Sequence, residues 1–393
     1  MQNQKRRELI IGAGALAGAS LLPSIARAQP AKIRLGLMLP YTGTFAQLGT
    51  AIENGLRLAL EQVSGKPGGR EFEFFKVDDE SDPAKATDNA NRLITRDKVD
   101  VLIGSVHSGV AMGMLKVAKE NGTLMLIPNA GAGAATGALC APNVFRTSFT
   151  NWQPIHPLGK VMAERGHKKA AFITWKYAAG EESLESFREG FSAAGGSVVK
   201  ELFVPFPNVE FQALLTEIAA IKPDAVACFF AGGGAVKFVR DYAAAGLKDK
   251  IPLYGSGFLT EGVLAAQGDA ADGLLTTLHY ADSLDNPRNK AYRAAYVKAY
   301  KIEPDVFSVQ GYDTGLLLAQ ALEKAKGDIG NQKAMIAAME GAVIDSPRGP
   351  WKMSRAHNPI QDIYLRRVEK GDNKVLGVAW KALEDPARGC KLG

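Results

Sequence analysis

Strand-like and helix-like segments alternate along this chain, and the alternating series runs twice. Apolar runs rich in β-branched residues occur at Ile33–Leu39, Phe72–Val77, Val99–Gly104 and Leu124–Pro128. They recur at Ala170–Trp175, Ser197–Val204, Ala225–Ala231 and Ile251–Tyr254. Strands buried on both faces need such runs. Between them lie helical periods: Leu48–Val63, Pro83–Arg96, Val110–Asn121, Glu182–Ala194, Phe211–Ile221 and Val236–Ala245. This alternation implies right-handed β-α-β units on a parallel sheet. One unit covers roughly residues 32–148 and the next roughly 152–278, followed by helices at Asn286–Tyr300 and Phe307–Ala325 and strand-like Ile363–Val368 and Val375–Trp380.

The expected fold class is therefore α/β, with two doubly wound parallel-sheet lobes joined by a multi-crossover hinge. The first lobe is expected over 29–148 plus about 281–345, the second over 149–280 plus about 346–393. Ligands of open α/β sheets bind beyond the carboxyl ends of the strands, which puts a site in the cleft between facing lobes.

Residues 1–28 read as an export signal. Lys5-Arg6-Arg7 precedes an apolar run from Leu9 to Leu22, and Ala26-Arg27-Ala28 supplies a small-residue cleavage site. The apolar run is too short for a stable membrane span. Arg6-Arg7 leans toward the twin-arginine route, with an ordinary secretory signal as the alternative. A periplasmic location and a mature chain of about 365 residues starting at Gln29 are expected. The formal charge of +6 includes +3 from the signal, where Lys5, Arg6, Arg7 and Arg27 face Glu8; the mature chain keeps +3. That is too weak a charge for a nucleic-acid footprint.

Chemistry-bearing motifs concentrate in loops after strands. Gly104-Ser105-Val106-His107-Ser108-Gly109 opens a helix, where unpaired backbone N–H groups favour an anion such as a carboxylate. Two readings of Ser108 stand: a ligand contact or a cap of its own helix. His107 faces the cleft or lies on the loop. Pro128-Asn129-Ala130-Gly131-Ala132-Gly133 follows the next strand, and its small residues permit close approach to backbone amides. As a dinucleotide fingerprint it lacks the third glycine and sits on the wrong strand. The long loop Leu39–Gly49, with Phe45 and Leu48, packs on neighbours or lines a pocket. In the cluster Asp78-Asp79-Glu80-Ser81-Asp82, Asp82 before Pro83 reads as a helix cap. A calcium loop would need the glycine and terminal glutamate that are missing here.

No Gly-x-Ser-x-Gly elbow, His-Glu-x-x-His or Walker loop occurs, and no two of the five histidines have metal-ligand spacing. No enzyme activity, cofactor or metal is expected. Of three cysteines, Cys228 lies inside an apolar strand. Cys140, in a loop, and Cys390, in the tail, are expected to pair in an oxidising compartment, the alternative being two free thiols.

The whole mature chain resembles the periplasmic solute-binding proteins of branched-chain amino-acid-type ABC transporters, with their two-lobed type I fold. The resemblance rests on Ile33–Gly36 with Gly43–Gly49, Val99–Ser108, Phe145-Arg146-Thr147-Ser148 at a lobe junction, Gly311-Tyr312-Asp313, and Gly349-Pro350-Trp351. It implies a non-enzymatic, monomeric receptor that carries a small carboxylate to inner-membrane permease subunits. A periplasmic sensor of the same fold is the alternative.

In leucine-binding members a serine at the position of Ser108 and the loop matching Asn129–Gly131 hold the α-carboxylate, while an acid in the second lobe holds the ammonium. Here that loop reads Gly255-Ser256-Gly257-Phe258, with Gly257 at the acidic position and Glu261 a few residues on. Three cleft tyrosines are replaced by Leu48, Ala179, and Ala231 or Gly232. An ammonium buried there would lack a partner. The resemblance thus points to an aromatic or other hydrophobic acid, with a branched-chain amino acid or amide as the alternative. The expected ligand-binding set is Phe45, Leu48, Ser105, His107, Ser108, Asn129, Ala130, Gly131, Tyr177, Ala179, Ala231, Gly232, Ser256 and Gly257.

Overall fold

The computed structural model describes residues 31–63 and 66–392; the export signal read at 1–28 lies outside them. In chain order the first lobe runs β1 (Ile33–Leu39), α1 (Ala46–Gln62), β2 (Phe72–Asp78), α2 (Pro83–Asn91), β3 (Val101–Gly104), α3 (Ser108–Asn121), β4 (Leu124–Ile127), the short α4 (Gly133–Thr136) and β5 (Val144–Arg146). All five strands are parallel, in the order β2-β1-β3-β4-β5. The order reverses between β1 and β3, so the loops after those strands flank a crevice at the carboxyl edge.

The chain then enters the second lobe through α5 (Trp152–Glu164), β6 (Lys169–Lys176), α6 (Ala178–Ala193), β7 (Ser197–Pro205), α7 (Gln212–Ile221), β8 (Ala225–Phe229), α8 (Gly232–Ala244), β9 (Leu253–Ser256), α9 (Leu264–Gln267) and β10 (Leu275–Leu278). It continues as α10 (Pro287–Tyr300), α11 (Val306–Lys324), α12 (Gln332–Glu340), β11 (Val343–Ile344), β12 (Trp351–Met353), β13 (Pro359–Glu369) and β14 (Asp372–Leu383). The second sheet has the order β11-β12-β13-β10-β9-β8-β6-β7, with β14 against β13. Its strands β6 to β10 are parallel, whereas β11 to β14 join antiparallel, so this sheet is mixed.

Helix α11 returns to pack on α1 of the first lobe. Glycines allow the close approach: a Cβ on Gly55 would stand 1.8 Å from the Ser308 carbonyl oxygen, and one on Gly311 1.9 Å from that of Ile52. The first sheet is covered on one face by α1, α11 and α12, with Leu35, Leu37, Leu56 and Leu318 in that core. On the other face α2 and α3 pack Leu102, Met114 and Met125.

The junction after β5 is buried and tightly bonded. Arg348 donates to the carbonyls of Thr147 and Ser148, Gln361 donates to Ser148 O at 2.6 Å, and Arg348 pairs with buried Asp313 at 2.9 Å. Cys140, beyond α4, forms a disulfide with Cys390, and Cys228 is a buried free thiol. The tail also lies against the second lobe, where Arg388 meets Glu189 at 2.9 Å.

Candidate functional site

The carboxyl-edge loops of both sheets enclose a small cavity, lined by Phe45, Leu48, Val106, Ser108, Asn129, Gly131, Phe149, Asn151, Tyr177, Ala179, Phe229, Ala231, Phe258 and Phe307. Each sheet contributes where a doubly wound sheet is expected to contribute. Phe45 and Leu48 follow β1, Val106 and Ser108 follow β3, and Asn129 and Gly131 follow β4. Tyr177 and Ala179 follow β6, Phe229 ends β8 and Ala231 follows it, and Phe258 follows β9. Phe149 and Asn151 come from the junction itself.

The lining mixes polar and aromatic groups. Ser108 is the first residue of α3, 1 % exposed, with the helix amino terminus behind it. His107, not Ser108, caps that helix: its Nδ1 accepts from Gly109 N at 3.1 Å. Gly131 sits beside Asn151, whose backbone N donates to Gly131 O at 2.8 Å. A Cβ on Gly131 would meet Asn151 Oδ1 at 2.2 Å, so glycine is required there. The Asn129 amide donates to Gln310 Oε1 at 2.6 Å and the Asn151 amide to Glu182 Oε2 at 2.6 Å. Both side chains are thus held from behind.

Much of the remaining wall is aromatic. Phe258 is its centre, with ring centroids 4.7 Å from Phe149, 5.9 Å from Phe307 and 6.4 Å from Phe229. Over the rim, first-lobe rings meet second-lobe rings. His107 lies 4.9 Å from Tyr177, and Phe45 lies 6.1 Å from Trp175 and 5.5 Å from Phe206. Burial pushes the His107 imidazole down to about 4, so it packs here as a neutral ring.

Eight of the fourteen residues expected at the site line this cavity: Phe45, Leu48, Ser108, Asn129, Gly131, Tyr177, Ala179 and Ala231. Six lie elsewhere. Ser105 is fully buried behind the loop and donates to Asp79. His107 is the helix cap and rim ring just described. Ala130 points into the core, its N donating to Ser105 O and its carbonyl accepting from Arg146. Gly232 lies at the rim, where a Cβ would stand 2.6 Å from Thr44 O. Ser256 is buried in β9. Gly257 faces away from the cavity: a Cβ there would meet Arg366 Nη2 at 2.4 Å, and its neighbour Phe258 projects inward instead.

Six lining residues were not anticipated: Val106, Phe149, Asn151, Phe229, Phe258 and Phe307. Phe229 and Phe258 stand at or just past the carboxyl ends of β8 and β9, and that position was their available signal.

Among the described residues no carboxylate lines the cavity. Glu261 is buried in an ion pair with Arg366 and accepts from Val306 N at 3.0 Å. Burial raises its carboxyl, and the Arg366 guanidinium opposes that rise. Glu182 is the acid next to the polar groups. It reaches from α6 across the cleft and accepts from Gly133 N at 3.1 Å as well as from Asn151, while burial raises its carboxyl. In the acidic run, Asp82 caps α2 through Ala84 N, Asp78 accepts from Tyr41 N and Thr42, and Asp79 takes Ser105. Among the described residues no three His, Cys, Asp or Glu side chains group to hold a metal ion.

Residues 32–373 match the family model described as "Periplasmic binding protein". The chain is 32% identical over 368 residues to Leu/Ile/Val-binding protein homolog 6 of Brucella melitensis, covering 91% of this chain and 93% of that one. Among solved structures it is similar to an ABC transporter solute-binding protein of R. palustris in complex with benzoate: 53% identity, TM-score 0.90, covering 92% of this chain and 100% of the other. A second, from Rhodopseudomonas palustris BisB5 in complex with 3,4-dihydroxybenzoic acid, has 32% identity and TM-score 0.86, covering 90% and 99%. Those relatives are solute-binding proteins, not enzymes. The chain belongs to the periplasmic binding protein family, as a type I member of the Leu/Ile/Val-binding-protein kind.

Proposed function

We propose that this protein is the receptor of an ABC importer for an aromatic carboxylate without an ammonium group, which it delivers to inner-membrane permease subunits. The observation that carries the reading is the combination in one cavity of hydrogen-bonding groups and aromatic rings, with no acid among the described residues of its lining. Ser108 with the start of α3, Gly131, and the amides of Asn129 and Asn151 suit a carboxylate. Phe149, Phe229, Phe258 and Phe307 suit the face and edge of a ring. The benzoate and dihydroxybenzoate held by the two R. palustris proteins support this assignment. Lobe closure around ligand by hinge motion would present the form a permease reads, as in other two-lobed receptors.

The names of the Brucella relatives favour a second reading, a branched-chain amino acid. An ammonium would then need Glu182, which stands outside the lining and accepts from Gly133 N and Asn151. A thermal-shift screen separates the two, because a ligand of the native state raises stability by mass action. Benzoate is expected to raise the melting temperature more than leucine does; micromolar leucine binding without response to aromatic acids would reverse the assignment.

A further inference from the structure

Helix α6 of the second lobe meets the first lobe at two points beside the cavity. At its amino cap, Tyr177 lies 4.9 Å from the ring of His107, which caps α3. Five residues on, half-buried Glu182 reaches Gly133, the first residue of α4. The Gly133 N–H forks to both carboxylate oxygens, at 3.2 and 3.1 Å. Asn151 of the junction donates to the same carboxylate at 2.6 Å. Between the two points Ala179 lines the cavity, while Glu182 itself stands outside the lining.

The bond from Gly133 to Glu182 joins the lobes directly. Gly133 lies between β4 and β5 of the first sheet, and Glu182 between β6 and β7 of the second. Its N–H, at the first position of a helix, has no acceptor within that helix. A carboxylate taken out of water is costly unless it is hydrogen-bonded, and bonds to a charged acceptor are the strong kind. Parting the lobes would return both groups to water, so this bond favours the closed arrangement over an open one.

Resting on the reading of this cavity as the site of a receptor whose lobes close on ligand, we infer that Glu182 is a positioning residue that latches the closed form through Gly133, and so sets how long a ligand is held without touching it. A latch that forms after capture leaves the association rate alone and acts on release. Standing outside the lining, it should act on different ligands by the same factor.

Gly133 allows the latch to be broken from the other side. A Cβ there would meet only the Glu182 carboxyl group, no nearer than 3.8 Å, so alanine fits. Proline suits the first position of a helix, and Ala132, with ψ 115°, lies outside the helical region that a following proline disfavours. Gly133→Pro thus deletes the N–H, and Gly133→Ala keeps it.

The test is stopped-flow binding and release of benzoate and of 3,4-dihydroxybenzoate by the full chain. It uses the wild type, Glu182→Gln, Gly133→Pro, Gly133→Ala, and Glu182→Gln combined with Gly133→Pro. Glu182→Gln and Gly133→Pro should each raise koff by about tenfold and leave kon within about twofold, with the same factor for both acids. The double variant should release no faster than Glu182→Gln, because both changes break one bond. Gly133→Ala should behave as the wild type. An unchanged koff in Glu182→Gln overturns the inference, even if its melting temperature falls. So does a factor that differs between the acids, or a double variant in which the two effects multiply. Should Gly133→Pro fail to fold, the split between koff and kon in Glu182→Gln decides. Failure of both acids to bind the wild type removes the aromatic-acid reading, and the same kinetics with leucine then decide on the latch.

Discussion

The two lobes face one ligand with different chemistry. From the first sheet come a hydroxyl, an amide and backbone groups, at Ser108, Asn129 and Gly131, beside the apolar Phe45, Leu48 and Val106. From the second come the rings of Tyr177, Phe229 and Phe258 and the small side chains of Ala179 and Ala231, with no charge among them. The difference teaches how a receptor of this kind divides its work. On the proposed reading, the directional groups of the first lobe would orient an acid, and the apolar surface of the second would favour closure by removing apolar area from water. Charge is kept in both lobes, but behind the lining, as Asp79 against Ser105 and as Glu261 against Arg366.

The largest expected effect tests whether the second lobe's acid belongs to the fold or to the site. Glu261→Gln leaves the buried Arg366 guanidinium without its counter-charge, and should lower stability by about 3–5 kcal/mol. Denaturant titration measures that loss. The affinity of the folded protein for an aromatic acid should stay as it is, and a collapse of affinity would put Glu261 in the site.

Reduction of Cys140–Cys390 comes next. The bond closes a loop with a sequence separation of 250. Its loss should lower stability by about 2–4 kcal/mol, read as a drop in melting temperature in reductant, with the dissociation constant unchanged. Denatured but unreduced protein should show one reactive thiol, Cys228.

Ser108→Ala attacks the polar groups directly. It should weaken benzoate binding by about 1–3 kcal/mol, as expected for a hydrogen bond to a charged group. Benzamide, the uncharged analogue, should lose less. Phe229→Leu on the opposite lobe should weaken both compounds alike. If both variants treated the acid and the amide identically, the division of labour between lobes would be wrong.

A smaller effect concerns Asp79. Burial pushes its carboxyl up to about 6, against the pull of the Ser105 and Ser81 hydrogen bonds. The unfolded chain gives up this proton at lower pH than the folded one. Stability from this group is therefore complete below the ordinary carboxyl range and is lost as pH rises toward about 6. Asp79→Asn should flatten that stretch of the stability profile, and an unaltered slope would assign it to another group.

The lobes were legible because strands such as Ala225–Phe229 carry unbroken apolar runs and the helices between them keep their period. Helix α5 is absent from the sequence expectations; the structure keeps Pro157 inside it, with its apolar face buried. Strand β10 is four residues long and offers little pattern. In the site, small and polar loop residues announced themselves, whereas the phenylalanines looked like core. Whether a ring at a strand end points inward to a core or outward to a cleft is decided by the facing lobe, and no local period carries that. Phe258 shows the limit: it stands one position after Gly257, yet the two face opposite ways.

The disulfide also has a mechanical consequence. Strand β14 ends at Leu383 in the second sheet, and Cys390 is bonded to Cys140 beside the first. The intervening chain, Glu384 to Cys390, spans at most about 25 Å when fully drawn out. If the lobes hinge as proposed, this tether limits how far they can part. Oxidation would then set an upper limit on the stroke, and a reductant that never touches the ligand would lengthen it.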